Sequence, residues 1–147
     1  MLSWLFSDPL PAGSPAPDFS LMDDQGRMVS LAALRGKNVI LVFYPGDDTR
    51  VCTQQLCELK ERWPDLERHN AVAFGVNPQG ESSHGRFREK YGLPFPLLVD
   101  GGQKVSRLYH AHGLIVKRTV YVIGPDGVIR FARRGRPPVG EILAAAG

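Results

Sequence analysis

The chain is 147 residues long, 43% of them apolar and 22% charged, a composition typical of a folded globular protein and not of a disordered segment. Its net charge is +3, and the basic residues of the last third lack the interleaved aromatic residues that mark a nucleic-acid surface. No segment approaches the ~20 consecutive apolar residues of a membrane-spanning helix, so the composition argues against nucleic-acid and membrane partners.

The N-terminal region, residues 1–17, predicts an extended arm. Residues 7–17 carry four prolines and no hydrophobic period, which favours an extended path along the surface. The apolar residues 1–6 have neither a cationic segment nor a small-residue cleavage site, so they argue against a signal peptide and favour a cytoplasmic protein. Turn-forming residues 23–26 between two short apolar runs then predict a β-hairpin extension.

The next segment places a cysteine between a strand and a helix. The uninterrupted apolar run 39–44 predicts a strand that is buried on both faces. Pro45 ends this run, and a helix is predicted over residues 53–68. Cys52 lies at the predicted helix start, where unpaired backbone N–H groups and the helix dipole favour the thiolate. The pattern therefore predicts a nucleophile at a helix N-terminus.

The rest of the chain alternates strand and helix patterns and ends in a hairpin followed by a short helix. Strands are predicted at 71–76, 97–99, 119–123 and 128–131, and helices around 87–91, at 105–109 and at 139–146. A strand–helix–strand unit requires parallel strands, and the late hairpin adds antiparallel ones. We therefore expect an α/β protein with a mixed central β-sheet and helices on both faces, forming one domain over residues 1–147.

The residues around Cys52 resemble a known family. Pro45, Thr49 and Cys52 reproduce the P-x-x-x-T-x-x-C signature of peroxiredoxins. The run FYPGDDT-x-x-CTQQxC resembles the bacterioferritin comigratory protein, or peroxiredoxin Q, branch of this AhpC/TSA-type family. The resemblance extends from about Gly13 to Phe131. It implies a thioredoxin-like fold, in agreement with the order of predicted elements, and a thiol-dependent peroxidase activity.

The resemblance also implies a role for each site residue. Cys52 is the peroxidatic cysteine, whose thiolate attacks a peroxide and becomes a sulfenic acid. Thr49 orients the peroxide, and Pro45 shapes the pocket wall and shields the sulfur from water. Arg118 stabilises the thiolate and the charge that develops on the leaving oxygen. Gln55 is expected to hold Arg118 in place by a hydrogen bond.

Cys57 is expected to resolve the sulfenic acid as an intramolecular disulfide, which thioredoxin or a similar dithiol would reduce. In a regular helix, residues five apart have Cα atoms roughly 8–9 Å from each other, whereas a disulfide requires at most about 7 Å. The first turns of the helix must therefore unwind before the two sulfurs can meet. An ordinary core position for Cys57 stays open as the alternative, because the helix has an apolar face.

Other functions stay open at this point. A thioredoxin-fold disulfide reductase is opposed by the absence of C-x-x-C. A redox-sensing binding module would use oxidation of the two cysteines to change a partner surface. Within the peroxidase hypothesis, spacing alone does not select Arg118 over Arg50, which lies closer to Cys52 in the chain. The resemblance favours a monomer, with a dimer as the alternative, and it selects neither hydrogen peroxide nor organic hydroperoxides as the preferred substrate.

The remaining polar residues predict smaller roles. C-x₄-C is not a common zinc spacing, and His110 and His112 do not complete one, so neither a metal nor a cofactor is expected. His84 is predicted to form local hydrogen bonds at a helix start, and Asp47-Asp48 is predicted to be a turn and not an acid–base pair. Arg50-Val51 replaces the Pro-Gly that usually precedes the cysteine in the family.

Overall fold

The computed structural model describes residues 8–147, which form seven strands and five α-helices. The strands are β1 (Ser20–Met22), β2 (Met28–Ser30), β3 (Asn38–Phe43), β4 (Ala71–Asn77), β5 (Leu97–Val99), β6 (Thr119–Ile123) and β7 (Ile129–Arg134). The helices are α1 (Arg50–Glu61), α2 (Trp63–Arg68), α3 (Glu81–Tyr91), α4 (Lys104–Leu108) and α5 (Val139–Ala145). Short 3₁₀ turns occupy Ala32–Leu34 and Gly101–Gln103.

A mixed sheet forms the centre of the described residues, with the strand order β5-β4-β3-β6-β7. β3, β4 and β5 run parallel, and β6 and β7 are antiparallel to their neighbours. β1 and β2 pair as a separate antiparallel hairpin. The predicted mixed α/β sheet with a hairpin extension is therefore confirmed.

The central strand β3 is buried along its whole length, because both faces of the sheet are covered. Its side chains alternate between two apolar clusters, as the two-residue period of a strand requires. Ile40 and Val42 pack in one cluster with residues of α1, α2, α3 and α5. Val39 and Leu41 pack in the other with residues of α4 and of the segment that precedes β3. An uninterrupted apolar run was therefore the correct signal for this strand.

The predicted helix over residues 53–68 is wrong at its start and in its middle. α1 begins at Arg50, three residues earlier, because Thr49 has an extended backbone with φ −90° and ψ 155° and the helix follows directly. The helical segment is interrupted at Arg62, which precedes Trp63 and Pro64. Pro64 has no backbone N–H to donate to the preceding turn, so the chain restarts as a separate helix there. Cys52 consequently lies inside the first turn of α1.

The extended arm is described from residue 8 onward, and the part of the predicted arm before it lies outside the described residues. Backbone hydrogen bonds join the arm to the β6–β7 hairpin: Gly13 N–H donates to the carbonyl of Ile129 at 2.7 Å, and Ile129 N–H donates to Ser14 at 2.9 Å. The described part of the arm thus contains a turn at residues 12–13 and is joined to the hairpin on either side of Ile129. Across residues 8–147, no helix combines the length and the apolar character that crossing a bilayer requires.

Candidate active site

Cys52 lies where the central strand gives way to helix α1. β3 ends at Phe43, and six residues of loop lead to Arg50, so Cys52 is the third residue of the helix. Its side chain is fully buried, and its thiol is free. The first backbone N–H groups of a helix have no intrahelical acceptor, and their dipoles favour negative charge beside them. The local sequence therefore places a thiol beside the unpaired N–H groups at the positive end of the helix dipole.

Thr49 is the residue from which α1 starts, but its side chain does not cap the helix. The hydroxyl donates to the carbonyl oxygen of Gly46 at 3.0 Å. Because its hydrogen is used in this way, the oxygen presents its lone pairs as acceptors. Thr49 is exposed, and Pro45 in the same loop is half-buried. This side of the site can therefore accept a hydrogen bond from a small molecule.

Arg118 is brought to Cys52 by the pairing of two strands that are far apart in sequence. β6 runs antiparallel to β3, and Phe43 pairs with Thr119. The start of β6 therefore lies beside the end of β3. From there Arg118 Nη2 donates to Cys52 Sγ at 3.3 Å. This contact selects Arg118 over Arg50, which spacing alone could not do.

The guanidinium of Arg118 is fixed by contacts on its other side. Its Nη1 donates to Gln55 Oε1 at 2.8 Å, as expected, and Gln55 is buried one turn after Cys52. Gln55 Nε2 in turn donates to the carbonyl of Gly135 at 3.4 Å. The backbone N–H of Gly135 donates to the carbonyl of Arg118 at 2.8 Å. A guanidinium held in this way acts as a preorganised charge beside the sulfur.

Cys57 belongs to the same uninterrupted helix as Cys52 and is also a free thiol. It is half-buried and packs against the apolar cluster that includes Cys52 and Leu56. The structure thus describes the dithiol, helical form of this segment. The helical geometry that keeps the two sulfurs from bonding is present in full.

The outer face of α1 is attached to the loop after β7 by one arginine. Arg136 Nη1 donates to Gln54 Oε1 at 3.1 Å, and Nη2 forms an ion pair with Glu58. These partners lie on consecutive turns of α1, on either side of Cys57 in sequence. The side chains of Arg136 and Glu58 are 35% and 36% exposed, so water competes for this contact.

The loop between β3 and α1 is held from the opposite side by Asp47. Tyr44 Oη donates to Asp47 Oδ1 at 2.6 Å, and Asn77 Nδ2 donates to the same atom at 3.2 Å. On α3, Ser83 Oγ donates to Oδ2 at 2.7 Å, and His84 Nδ1 lies 2.6 Å from Oδ2. Four side chains from three segments thus converge on one carboxylate in the described part of the chain.

The structure changes two predictions made from the sequence, those for Asp47 and His84. Asp47 does lie in a turn, but its side chain is 3% exposed and joins distant segments. The prediction of local helix-start hydrogen bonds for His84 is wrong, because its partners are Asp47 and the carbonyl of Leu98. One signal was available: His84 is spaced three residues before Phe87 and seven before Tyr91, which places it on the inward face of α3.

Hydrogen bonds decide the protonation state of Asp47. Burial by itself raises the pKa of this carboxyl, but the hydrogen bonds from His84, Tyr44 and Ser83 outweigh burial and hold the pKa below its ordinary value. For Tyr44, burial and then the nearby charge of Asp47 raise the pKa well above its ordinary value. Asp47 is therefore an anion at neutral pH, and Tyr44 is a neutral donor to it.

The exposed part of the loop is tied to the end of α3. Asp48 has a left-handed backbone, φ 55°, and accepts hydrogen bonds from Lys90 Nζ at 2.8 Å and Tyr91 Oη at 2.7 Å. Hydrogen bonds from Lys90 and Tyr91 hold the pKa of Asp48 below its ordinary value. Arg50 and Val51, the residues that replace Pro-Gly, are exposed at the helix start.

A metal centre finds no support in the described residues. Across residues 8–147, no group of three or more His, Cys, Asp or Glu side chains is arranged to hold a metal ion. His110 Nδ1 instead lies 3.0 Å from the backbone carbonyl of Asp8.

Comparisons with known sequences agree on one family. The model of the AhpC/TSA family matches residues 12–132. A peroxiredoxin Q from the chloroplast of Oryza sativa subsp. japonica is 37% identical over 123 residues, 81% of this chain and 57% of the rice protein. The chain thus spans little more than half the length of that relative. A peroxiredoxin bcp from Coxiella burnetii is 38% identical over 129 residues, which are 80% of this chain and 83% of the bacterial protein.

Solved structures show the same architecture. The peroxidoxin BcpB of Mycobacterium tuberculosis superposes with a TM-score of 0.87 at 25% identity, covering 93% of this chain and 96% of that one. The bacterioferritin comigratory protein of Xanthomonas campestris superposes with a TM-score of 0.83 at 25% identity, covering 95% and 97%. The predicted thioredoxin-like fold is therefore confirmed.

Proposed function

We propose that this chain, which belongs to the AhpC/TSA family, is a peroxiredoxin that reduces peroxides with Cys52 as the attacking thiol. The observation that carries the proposal is the guanidinium of Arg118, 3.3 Å from Cys52 Sγ at the first turn of α1. A buried thiol with only a structural role has no need of a cation fixed against its sulfur. A nucleophile that must react as a thiolate does.

The first chemical step transfers one oxygen atom to Cys52. The thiolate sulfur attacks the terminal oxygen of the peroxide, a sulfur–oxygen bond forms, and the oxygen–oxygen bond breaks. The sulfur is oxidised to a sulfenic acid, and the peroxide is reduced to an alcohol or to water once the leaving oxygen has taken up a proton. Negative charge moves in this step from the sulfur to the leaving oxygen.

The neighbouring side chains match that movement of charge. Arg118 is held by Gln55, so it can stabilise both the thiolate and the leaving oxygen without reorganising. Thr49 donates its own hydrogen to Gly46, so we assign it the role of acceptor for a peroxide hydroxyl. Pro45, whose ring has no backbone N–H, forms the wall that limits access of water to the sulfur.

The second step forms a disulfide with Cys57. Its thiol attacks the sulfenic sulfur, a sulfur–sulfur bond forms, and water leaves. Because both cysteines belong to the helix Arg50–Glu61, this step requires α1 to unwind locally. We therefore propose an alternation between a helical dithiol and a locally unfolded disulfide. Equal helix content in the two states, measured by circular dichroism, would contradict it.

The named activity of one relative supports the choice of substrates, and the reductant is part of our proposal. Alkyl peroxide reduction is named for the Xanthomonas campestris protein, and we propose hydrogen peroxide and organic hydroperoxides as substrates here. Thioredoxin or a similar dithiol would return the disulfide to two thiols. We propose a cytoplasmic protein that is a monomer, with a dimer as the alternative; the Coxiella burnetii relative is bacterial, whereas the rice relative is chloroplastic. Sedimentation of the reduced protein and cell fractionation test these two points.

Stopped-flow reaction of the reduced protein with hydrogen peroxide tests the function. We expect rapid, stoichiometric loss of the Cys52 thiol in the wild type and no such phase in Cys52→Ser. Mass spectrometry after one equivalent of peroxide should show a loss of about two mass units, and Cys57→Ser should instead show a gain of about sixteen. A reaction no faster than that of a free thiol would refute the peroxidase and leave the disulfide reductase or the redox sensor.

A further inference from the structure

The proposed pocket depends on a loop without regular secondary structure. Pro45 and Thr49 lie at its two ends, and Asp48 within it has a left-handed backbone, φ 55°, which non-glycine residues rarely adopt. Such a conformation persists only where surrounding groups determine it. Asp47 receives most of the side-chain contacts of this loop, because it bonds to the ends of β3 and β4 and to α3.

Both ring nitrogens of His84 face hydrogen-bond acceptors. The side chain is fully buried, and its Nε2 lies 2.9 Å from the carbonyl oxygen of Leu98. A carbonyl oxygen only accepts, so Nε2 carries a hydrogen. Nδ1 lies 2.6 Å from Asp47 Oδ2, and an ionised carboxylate also only accepts, so Nδ1 carries a hydrogen as well. With a hydrogen on each ring nitrogen, the buried contact between His84 and Asp47 is an ion pair.

The other hydrogen-bond partners of Asp47 are neutral donors. Asp47 accepts from Tyr44, Asn77 and Ser83, so the anion is fully bonded. Its own backbone N–H donates to Gln79 Oε1 at 2.6 Å. A buried ion pair is rigid when its other hydrogen-bonding positions also have partners. Removal of one member of the pair leaves the charge of the other buried and uncompensated.

Tyr44 connects this pair to the reacting sulfur. It directly precedes Pro45 and belongs to the same apolar cluster as Cys52. Its ring has a fixed place, because a Cβ added at Gly75 would lie 2.8 Å from the ring and 2.7 Å from Leu97. Movement of Asp47 would therefore be transmitted to the start of the loop through Tyr44 and to its end through the backbone.

We infer that Asp47 is a positioning residue for peroxide reduction, and that its ion pair with His84 fixes the loop carrying Pro45 and Thr49 against Cys52. The inference rests on the proposed peroxidase function. Asp47 itself does not contact the peroxide. Asp47 instead fixes the position of the Thr49 hydroxyl oxygen. A peroxide that binds to this oxygen and to Arg118 then lies within reach of the Cys52 sulfur.

Replacement of Asp47 by Asn tests the role in catalysis. The variant keeps the size of the side chain but removes its charge. We expect the second-order rate constant for hydrogen peroxide to fall about tenfold to a hundredfold, since misplacement of a reacting group by about 1 Å has effects of that order. Asp48→Asn is the matched control, because Asp48 is adjacent, exposed and bound to Lys90 and Tyr91. It should leave the rate constant within about twofold, which is within the effect of a weak surface contact.

Alkylation separates positioning from general damage to the fold. Iodoacetamide reacts with the thiolate of Cys52 and needs no peroxide pocket. Measured in the Cys57→Ser background, Asp47→Asn should lower the peroxide rate constant much more than the alkylation rate constant. Equal losses in both would show that Asp47 supports the fold and not the pocket, and an unchanged peroxide rate would also overturn the inference.

Nuclear magnetic resonance of the unmodified protein tests the ion pair without any use of activity. At neutral pH, ¹H–¹⁵N spectra should show protons on both ring nitrogens of His84, protected from exchange with water. If Asp47→Asn fails to fold, this measurement on the unmodified protein still tests whether His84 and Asp47 form an ion pair. A ring with one unprotonated nitrogen would overturn the ion pair even in an active peroxidase. Two protonated nitrogens in an inactive protein would leave the ion pair in place and refute the proposed function, and with it the positioning role.

Discussion

The loop before Cys52 and the helix after it are attached to the rest of the protein in opposite ways. The loop is held at Asp47 by buried hydrogen bonds from Tyr44 and Ser83 and by the buried His84. The helix is held on its outer face by Arg136, whose contacts with Gln54 and Glu58 are exposed to water. Buried charge-assisted bonds are strong and rigid, whereas exposed ion pairs contribute about 0–1 kcal/mol.

This difference fits the two steps of the proposed reaction. Peroxide reduction requires fixed donors and acceptors, which the loop and Arg118 provide. Disulfide formation requires α1 to unwind. On the outer face of the helix only weak exposed contacts oppose this step, whereas Leu56 and Leu59 hold the inner face in the core. Variants at the buried contacts of the loop should therefore change the first step, and variants on the outer face of α1 should change the second.

The largest effect is expected at Arg118. Arg118→Gln keeps a donor but removes the charge beside Cys52 Sγ, so the rate constant for hydrogen peroxide should fall about a hundredfold to a thousandfold, as when a preorganised donor is lost. Arg50→Gln is the control, since Arg50 is exposed at the start of α1 and should change the rate little. Stopped-flow measurement of both variants decides the point. A larger loss of the peroxide rate constant in Arg50→Gln would mean that Arg50, and not Arg118, is the cation that acts on Cys52.

Thr49 should have the next largest effect. Thr49→Val keeps the shape of the side chain but removes the acceptor oxygen, and we expect the peroxide rate constant to fall about tenfold to a hundredfold, the cost of a hydrogen bond to a charged or reacting group. Thr49→Ser retains the hydroxyl and should recover most of the rate. The subsequent rate of disulfide formation should be the same in all three proteins, and a change there would weaken the separation of the two regions.

Arg136 should have a smaller effect, and on the other step. Arg136→Ala removes the exposed attachment of α1, so disulfide formation after oxidation should become about twofold to fivefold faster, the range set by an exposed ion pair. The peroxide step should not change. Arg133→Ala is the matched control, because Arg133 forms an exposed ion pair with Glu141 at 3.0 Å and has no partner on α1 among its described contacts. Trp63, directly after α1, offers a fluorescence signal for the unwinding.

A slower disulfide step in Arg136→Ala would contradict the proposed difference between the two attachments. It would mean that Arg136 favours the unwound form. Equal acceleration in Arg133→Ala would point to a general loosening of the segment after β7 and not to the contact with α1.

The smallest effect is expected in the acid dependence of stability. The pKa of Asp47 is lower in the folded protein than its ordinary value of 3.8, so the folded state binds fewer protons there than the unfolded state. The stabilisation is present above pH 3.8 and is lost as the pH falls through the lower, folded value. Urea unfolding of Asp47→Asn should therefore show a weaker loss of stability below pH 4 than the wild type. An identical acid dependence would contradict a depressed pKa at this site.

Much of the fold was predictable because its signals are local. Apolar runs identified the strands, and Gly92, with a left-handed backbone of φ 60° and ψ 43°, ends α3 where the sequence indicated a stop. The boundary of α1 was missed because the dihedral angles of residues 50–52 depend on the loop before them and not on their own helix propensity. The break at Arg62 has a local signal in Pro64, which has no backbone N–H with which to continue the helix.

The sequence by itself determined the segment proposed to react: a cysteine at a helix start, a proline and a threonine at the spacing of the family signature, and a second cysteine that a regular helix keeps out of reach. These features are local, because the geometry of a helix turn fixes the distances between its own residues. Only the tertiary structure decided which arginine faces the sulfur and that Asp47 and His84 form a buried pair. Those contacts join residues 66 and 37 positions apart, and they exist because strand pairing and burial bring distant segments together, which no local spacing encodes.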